Sequence, residues 1–304
     1  VNRDRHRDLV IIVVGPTGVG KTAVAVELAG LYGTEIISAD SRQCYRELSI
    51  GVARPSPAEL AAVPHHFIAS HSLLENLTAA DFAAFALGKA AALFTKYRVV
   101  VMAGGTGLYV KAFADGLDDI PAADPAIRAG IIKQYEVEGL LWLQEQVKQA
   151  DPAWFADGDI QNPQRLMRAL EVYQSTGQSI RTFQRGTKAQ RPFDIVKLGL
   201  DLPRPELYKR INRRVDLMME AGLLQEVKDL VSLFALEPGK EVPNALRTVG
   251  YTEMIAHLFG NISLDEAVHL IKQNTRHYAK RQLTWFRKDP EVTWGKPFPE
   301  FTIP

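Results

Sequence analysis

Residues 9–22 read LVIIVVGPTGVGKT. Leu9–Val14 is an unbroken apolar run rich in β-branched side chains, the mark of a strand buried on both faces. Gly15, Pro16, Thr17, Gly18, Val19, Gly20, Lys21 and Thr22 then match the phosphate-loop pattern G-x-x-x-x-G-K-[ST] at every position. Ala23–Leu31 reads as a helix, so strand, glycine loop and helix come in the order the pattern requires. Glycines let the backbone curl until successive N–H groups face one anion, and the helix start adds its dipole. Lys21 supplies a positive charge, and the Thr22 hydroxyl suits a Mg²⁺ ion. The stretch therefore grips a di- or triphosphate, without saying which one or what is done with it.

The rest of the composition sets limits. A chain of 304 residues forms one large domain or two modest ones. Its 46% apolar and 23% charged content is that of an ordinary soluble globular protein. The net charge is only +1, so any basic surface must be local. Cys44 is the sole cysteine, which excludes an intrachain disulfide framework and a Cys-rich zinc site; it reads as a small, partly buried hydrophobe. No apolar run approaches the ~18 residues of a membrane span. Arg3, Arg5 and Arg7 precede the apolar run, but that run is too short for a signal-peptide core and leads straight into the phosphate loop. The expectation is a cytoplasmic protein with no membrane partner.

Outward from the loop, Glu35–Ser38 reads as a second strand ending in Ala39-Asp40-Ser41-Arg42-Gln43. Ligands of open parallel sheets bind at the carboxyl ends of strands, so Asp40, Ser41 and Gln43 belong beside the phosphate loop. Asp40 equally suits a helix N-cap. Residues 51–78, with Pro55, Pro57 and Pro64, read as irregular. His65-His66 lacks a third ligand at suitable spacing and reads as structural or substrate-lining rather than metal-binding. Thr78 caps an alanine-rich helix to about Phe94. Arg98–Ala103 is a third buried strand. An ATPase strand in this place ends in a Mg²⁺-holding carboxylate; here Gly104-Gly105-Thr106 follows, which speaks against a motor or switch ATPase.

From Gly116 to Phe193 the pattern is helical, with segments Asp124–Glu138, Gly139–Ala150 and Asn162–Thr176. Arg165 and Arg168 share a helix face. Asp194–Leu202 returns as a strand, and Glu206–Met219 is a helix bearing Arg210, Arg213 and Arg214, a set that suits an anion. From Lys272 to Lys288 there is no Asp or Glu. Lys272, Arg276, Lys280 and Arg287 fall on one helical face, a candidate nucleic-acid footprint, while Ile271, Tyr278 and Trp285 should pack inward.

The succession GPTGVGKT, ISADSRQCYR, GVARPS, PHHF, AGGTGLYVKA, NPQRLMRALEVY, RINRRVDLMMEAGL, RTVGY and YAKRQLTWFR resembles bacterial tRNA dimethylallyltransferases, from about residue 9 to residue 294. The resemblance implies an α/β fold: a P-loop NTPase-like parallel sheet flanked by helices, formed by 1–115 and 194–304, with an all-helical insertion domain at 116–193 that contacts tRNA. It implies transfer of a dimethylallyl group from dimethylallyl diphosphate to N6 of the adenosine 3′ of the anticodon, position 37, with Mg²⁺ and without consuming ATP. By position Asp40 looks like the general base. The loop amides, Lys21, Thr22 with Mg²⁺, Thr106 and Arg214 would stabilise the departing diphosphate. Asp40, Ser41, Arg42, Gln43 and Thr106, the run Gln164, Arg165, Leu166, Met167 and Arg168, then Arg128 and the Arg247–Tyr251 loop match segments that contact tRNA. Arg276 and Lys280 fit its phosphate backbone. A monomer is expected. Val52, Arg54, Ala69 and Leu77 depart from the family's usual residues. The competing readings are an adenylate isopentenyltransferase, a P-loop small-molecule kinase and an RNA-binding protein with a relic loop.

Overall fold

The computed structural model describes residues 7–184 and 186–296; Arg3 and Arg5 lie outside them. The chain divides into two compact units, Val1–Ala114 with Gln190–Pro304, and Asp115–Ala189.

In chain order the first unit begins with β1 (Leu9–Val14), α1 (Lys21–Tyr32), β2 (Ile36–Ser38), α2 (Pro57–Ala62), β3 (His65–His66), α3 (Ala79–Phe94), β4 (Val99–Ala103) and α4 (Gly107–Ala114). The second unit holds α5 (Pro125–Ala150), α6 (Pro152–Phe155) and α7 (Pro163–Thr176). The first unit resumes with β5 (Asp194–Leu200), α8 (Arg204–Glu220), α9 (Leu223–Leu233), α10 (Tyr251–Leu258), α11 (Leu264–Phe286) and β6 (Val292–Gly295). The strands form one six-stranded parallel sheet in the order β3-β2-β4-β1-β5-β6. β1 lies between β4 and β5, which is why Val10 to Val14 are wholly buried. Helices pack on both faces, and every strand end that matters for a ligand opens on one edge of the sheet.

Close approach fixes that edge. Gly104 follows β4, and a Cβ there would collide with the Ala39 backbone. Only glycine lets the ends of β2 and β4 lie this close.

The segment expected to be irregular holds two elements. Ser56 accepts the Glu59 N–H, Glu59 accepts the Ser56 N–H at 2.7 Å, and Pro57 sits in the first turn, so α2 forms from a complete capping box. β3 pairs His65 and His66 with Ile36 and Ile37. His66 Nε2 meets Glu35 Oε2 at 2.6 Å, and the Tyr97 hydroxyl donates to the same carboxylate at 3.1 Å, which gives His66 a structural hydrogen bond. Among the described residues no cluster of three His, Cys, Asp or Glu side chains suits a metal. Ala69, where the family usually has Asp, sits at φ 48°, a left-handed conformation that an Asp tolerates better than an Ala.

In the second unit α5 breaks at Gly139 (φ 76°, ψ −165°), where the sequence changes helix. Asp124 and Asn162 cap α5 and α7 through their side chains. The core gathers Ile131, Leu143, Val147, Leu166 and Leu170. Among the described residues no helix is long and apolar enough to cross a membrane.

Candidate active site

The loop between β1 and α1 has the conformation its glycines imply. Gly15, Gly18 and Gly20 take φ of 144°, 85° and 109°. Among the described residues no side chain caps α1, so its first-turn N–H groups remain for a ligand. They open into a cavity of ≈ 1080 Å³ lined by Gly18, Lys21, Thr22, Asp40, Arg210 and Arg214, among others.

Lys21 Nζ donates to the Gly15 and Pro16 carbonyls at 3.0 and 2.9 Å. Burial pulls its pKa down to about 8, against the opposing charge of Asp40 and with the help of Arg214. The Thr22 hydroxyl has no partner among the described residues and lines the same cavity. From α8, Arg214 bonds the Thr17 hydroxyl, and Arg210 donates to the Val19 carbonyl at 3.3 Å. Arg213 also lines the cavity but pairs with Glu220 at 3.5 Å. Two of the three arginines foreseen for an anion are thus tied to the phosphate loop.

Asp40 engages one oxygen of its carboxylate and leaves the other without a partner among the described residues. Oδ1 accepts the Arg42 and Gln43 N–H groups at 2.9 and 3.2 Å, capping the turn after β2. Oδ2 has no partner among the described residues, and Asp40 lines the cavity. Its charge acts on Lys21 and Arg214 and helps push the Tyr278 hydroxyl up to about 12, behind the larger effect of burial.

Other expected site residues take structural posts. Thr106 is not in the cavity lining. Its hydroxyl accepts the Ser41 N–H at 3.0 Å and donates to the Ser41 hydroxyl at 3.3 Å, which ties the ends of β2 and β4 together. Arg42 donates to the Ser41 carbonyl at 3.4 Å. Gln43 donates to the Val52 and Ala53 carbonyls at 3.2 and 2.9 Å and so hangs the loop that roofs the cavity. Cys44 is fully buried, and burial raises its thiol pKa to about 12.

In the second unit Leu166 and Met167 are core residues, 0% and 5% exposed, which removes their side chains as RNA contacts. Arg128 and Arg168 hold the buried Glu171 at 3.2 and 3.6 Å, and Arg165 pairs with Asp159 at 3.0 Å. Gln164 lies in the first turn of α7, where its N–H donates to the cap Asn162.

The basic stripe of α11 is partly neutralised by neighbours the sequence could not place beside it. Lys272 pairs with Asp216 of α8 at 2.5 Å, and Arg287 with Asp201 at 2.5 Å. Arg276 donates to Asn212 at 2.8 Å and stacks over Tyr208. Lys280 is exposed and has no ion pair among the described residues. Ile271 packs inward as expected, whereas Trp285 stays 40% exposed, its indole lying over Gly107. Arg247 is spent on Glu241 and the Val242 carbonyl, both at 3.0 Å, and Tyr251 is wholly buried.

Two residues were missed. Glu226 of α9 accepts the N–H groups of Ser49, Ile50 and Gly51 and the Tyr251 hydroxyl, at 3.2, 2.8, 3.1 and 2.6 Å. Nothing local in sequence announces it. Gln282 of α11 bonds both the phosphate loop and the loop after β4. Its signal was legible: on a helical wheel it falls on the inward face with Ile271 and Tyr278.

A model of the IPP transferase family matches residues 43–289. The chain belongs to this family. Relatives bear it out along nearly their whole length. The tRNA dimethylallyltransferase of Cytophaga hutchinsonii is 46% identical over 95% of this chain and 92% of its own. That of Christiangramia forsetii is 45% identical over 93% and 92%. Among solved structures, the tRNA isopentenylpyrophosphate transferase of Bacillus halodurans superposes with a TM-score of 0.68 at 38% identity, covering 95% of this chain and 90% of that one. A eukaryotic dimethylallyltransferase acting on tRNA gives a TM-score of 0.78 at 24% identity, over 95% and 74%, and so supports the fold. The phosphate-loop sheet is therefore the IPP transferase fold.

Proposed function

We infer that this chain transfers a dimethylallyl group from dimethylallyl diphosphate to N6 of the adenosine 3′-adjacent to the tRNA anticodon, position 37, and releases diphosphate. One observation carries the assignment of roles: the phosphate-binding loop and Asp40, whose Oδ2 has no partner among the described residues, line the same cavity. The loop amides, Lys21 and Arg214 hold the donor's diphosphate. As the allylic C–O bond breaks, negative charge gathers on the leaving oxygen, where those donors already stand. The exocyclic adenine nitrogen is a poor nucleophile, because its lone pair is delocalised into the ring. Asp40 Oδ2 accepts its N–H and takes the proton as the C–N bond forms. A stacked adenine cannot reach this site, so the base turns out of the anticodon loop into the cavity.

The donor set suits a Mg²⁺ ion that shares ligands with the substrate: one uncommitted hydroxyl, Thr22, stands beside the loop amides, and Mg²⁺ typically takes few protein ligands plus phosphate oxygens. Bound there, it would neutralise charge on the diphosphate. Ser41, Arg42, Gln43 and Thr106 support the pocket around the base. Arg165 and Arg168 of the second unit, with Arg276 and Lys280 of α11, are the cations that would meet tRNA.

The test uses labelled dimethylallyl diphosphate and Mg²⁺ with either an anticodon stem-loop or AMP. Label enters the stem-loop. Label entering AMP alone would make the chain an adenylate isopentenyltransferase, and ATP turnover with a small acceptor would make it a kinase.

The ion pairs of α11 grade its cations. Lys280→Ala should reduce the log–log salt slope of stem-loop binding by about one, since each free cation at a phosphate releases about one counterion. Lys272→Ala should change it much less, because Asp216 already neutralises Lys272. Equal slopes for Lys280→Ala and the parent chain would take α11 out of the RNA interface.

A further inference from the structure

The roles above leave the buried amide of Gln282 unused. Gln282 is 5% exposed, and its amide is engaged at both ends. Oε1 accepts the Thr17 N–H at 2.8 Å, and Nε2 donates to the Gly105 carbonyl at 2.9 Å. A Cβ at Gly105 would run into the Gln282 amide nitrogen, so the glycine is what lets the amide reach that loop.

Each partner belongs to one half of the chemistry. Thr17 lies in the phosphate loop, and its hydroxyl is held by Arg214. With its N–H turned to Gln282, Thr17 is the anchored point of the loop; of the amides that follow, Val19 N–H donates to the Pro16 carbonyl at 3.4 Å, and those of Gly18, Gly20, Lys21 and Thr22 have no partner among the described residues. Gly105 precedes Thr106, whose N–H donates to the Ala39 carbonyl at 3.2 Å and whose hydroxyl receives the Ser41 N–H. Ala39 and Ser41 flank Asp40. A single primary amide therefore spans the gap between the donor loop and the backbone that carries the base.

We propose that Gln282 is a positioning residue that sets the separation between the donor's diphosphate and Asp40. The proposal rests on the reading of the loop as the donor site and of Asp40 as the proton acceptor. Displacement at the allylic carbon needs nitrogen, carbon and leaving oxygen in line. The nitrogen is placed through Asp40 and the oxygen through the phosphate loop, so the distance between those two supports is the distance that matters. A misplacement of about 1 Å costs on the order of 10²-fold in rate.

The experiment compares the full-length parent chain with Gln282→Glu and Gln282→Met. It measures kcat and KM for dimethylallyl diphosphate and for an anticodon stem-loop, with Mg²⁺, from about pH 5 to pH 8, a range spanning a perturbed carboxyl's titration. Methionine keeps the length and loses both hydrogen bonds. The introduced carboxylate keeps the acceptor for Thr17 but sets its second oxygen against the Gly105 carbonyl. Once protonated, it donates there and reproduces the amide. Lys21 and Arg214 face this position from the loop and α8 and favour the charged form; Asp40 and burial favour the protonated one.

Both variants should lose about 10- to 10²-fold in kcat at pH 8, with KM for the stem-loop changed by less than about 2-fold. The ratio of Gln282→Glu to parent kcat should climb as pH falls, while the Gln282→Met ratio stays flat. That rescue is read within one variant, so it holds even if Gln282→Met fails to fold. Parent-like kcat in either variant at pH 8, or a Gln282→Glu ratio that does not move with pH, overturns the proposal. A parent chain that transfers no label overturns the functional reading instead.

Discussion

Asp40→Asn should bind both substrates and lose turnover by about 10²-fold or more, the usual worth of a positioned general base. The substitution isolates one oxygen. The asparagine carbonyl still accepts the Arg42 and Gln43 N–H groups, so the turn after β2 keeps its cap. The amide nitrogen replaces Oδ2, and a nitrogen that is already a donor cannot take a proton. Donor affinity should not weaken, because the substitution also removes a negative charge from the neighbourhood of the bound diphosphate. Single-turnover transfer with saturating donor and stem-loop reads the chemical step, and equilibrium titrations read the two affinities. Asp40→Ala should lose stability as well as rate, since it also removes the cap, a loss of roughly 1 kcal/mol. Turnover within about 3-fold of the parent in Asp40→Asn would reduce Asp40 to a cap and move the base elsewhere.

Lys21→Met should lower kcat/KM for the donor by about 10²- to 10³-fold, the measured scale for one preorganised donor at a developing anion. Among the described residues the ammonium hydrogen-bonds only the Gly15 and Pro16 carbonyls, so its removal takes one cation from the diphosphate's cradle and leaves Arg214 and the loop amides to hold the charge. A pH signature goes with it. Burial lowers the Lys21 pKa to about 8, and the charged form is the one that binds an anion. In the free enzyme the ammonium is present below that pH and lost above it. kcat/KM for the donor should therefore fall as pH rises through about 8. Lys21→Arg keeps its charge far beyond this range, so whatever activity it retains should lack that limb. A limb near pH 8 that persists unchanged in Lys21→Arg would belong to another group.

The fold was legible in the sequence where local pattern and burial coincide. Leu9–Val14 and Arg98–Ala103 are apolar enough to announce buried strands, Asp194–Leu202 shows a strand's alternation, and glycine and proline mark the helix ends. Thr78 and Asp81 form the expected cap of α3, with the Asp81 N–H donating to the Thr78 hydroxyl. The 51–78 segment was opaque because its single helix is short and its strand, β3, has two residues. The capping signal at Ser56 and Glu59 was nonetheless present. At the site, the phosphate loop and Asp40 were readable because each sits at a strand end. The charge state of α11 was not, because the carboxylates that neutralise it belong to α8 and to the turn after β5. One sequence shows the absence of acids along a helix, but not across the groove. Glu226 was hidden for the same reason: its backbone partners lie 175 to 177 residues earlier.

That hidden contact gives the molecule an unexpected line of inheritance. The roof over the cavity, residues 49–54, hangs from Gln43 on one side and from Glu226 on the other. α9 thus holds a segment that lines the cavity without lining it itself. A chimaera that takes residues up to α4 from one relative and the remainder from another separates the roof from one of its two suspensions. Segment 43–54 and α9 should therefore be exchanged together, as one heritable piece.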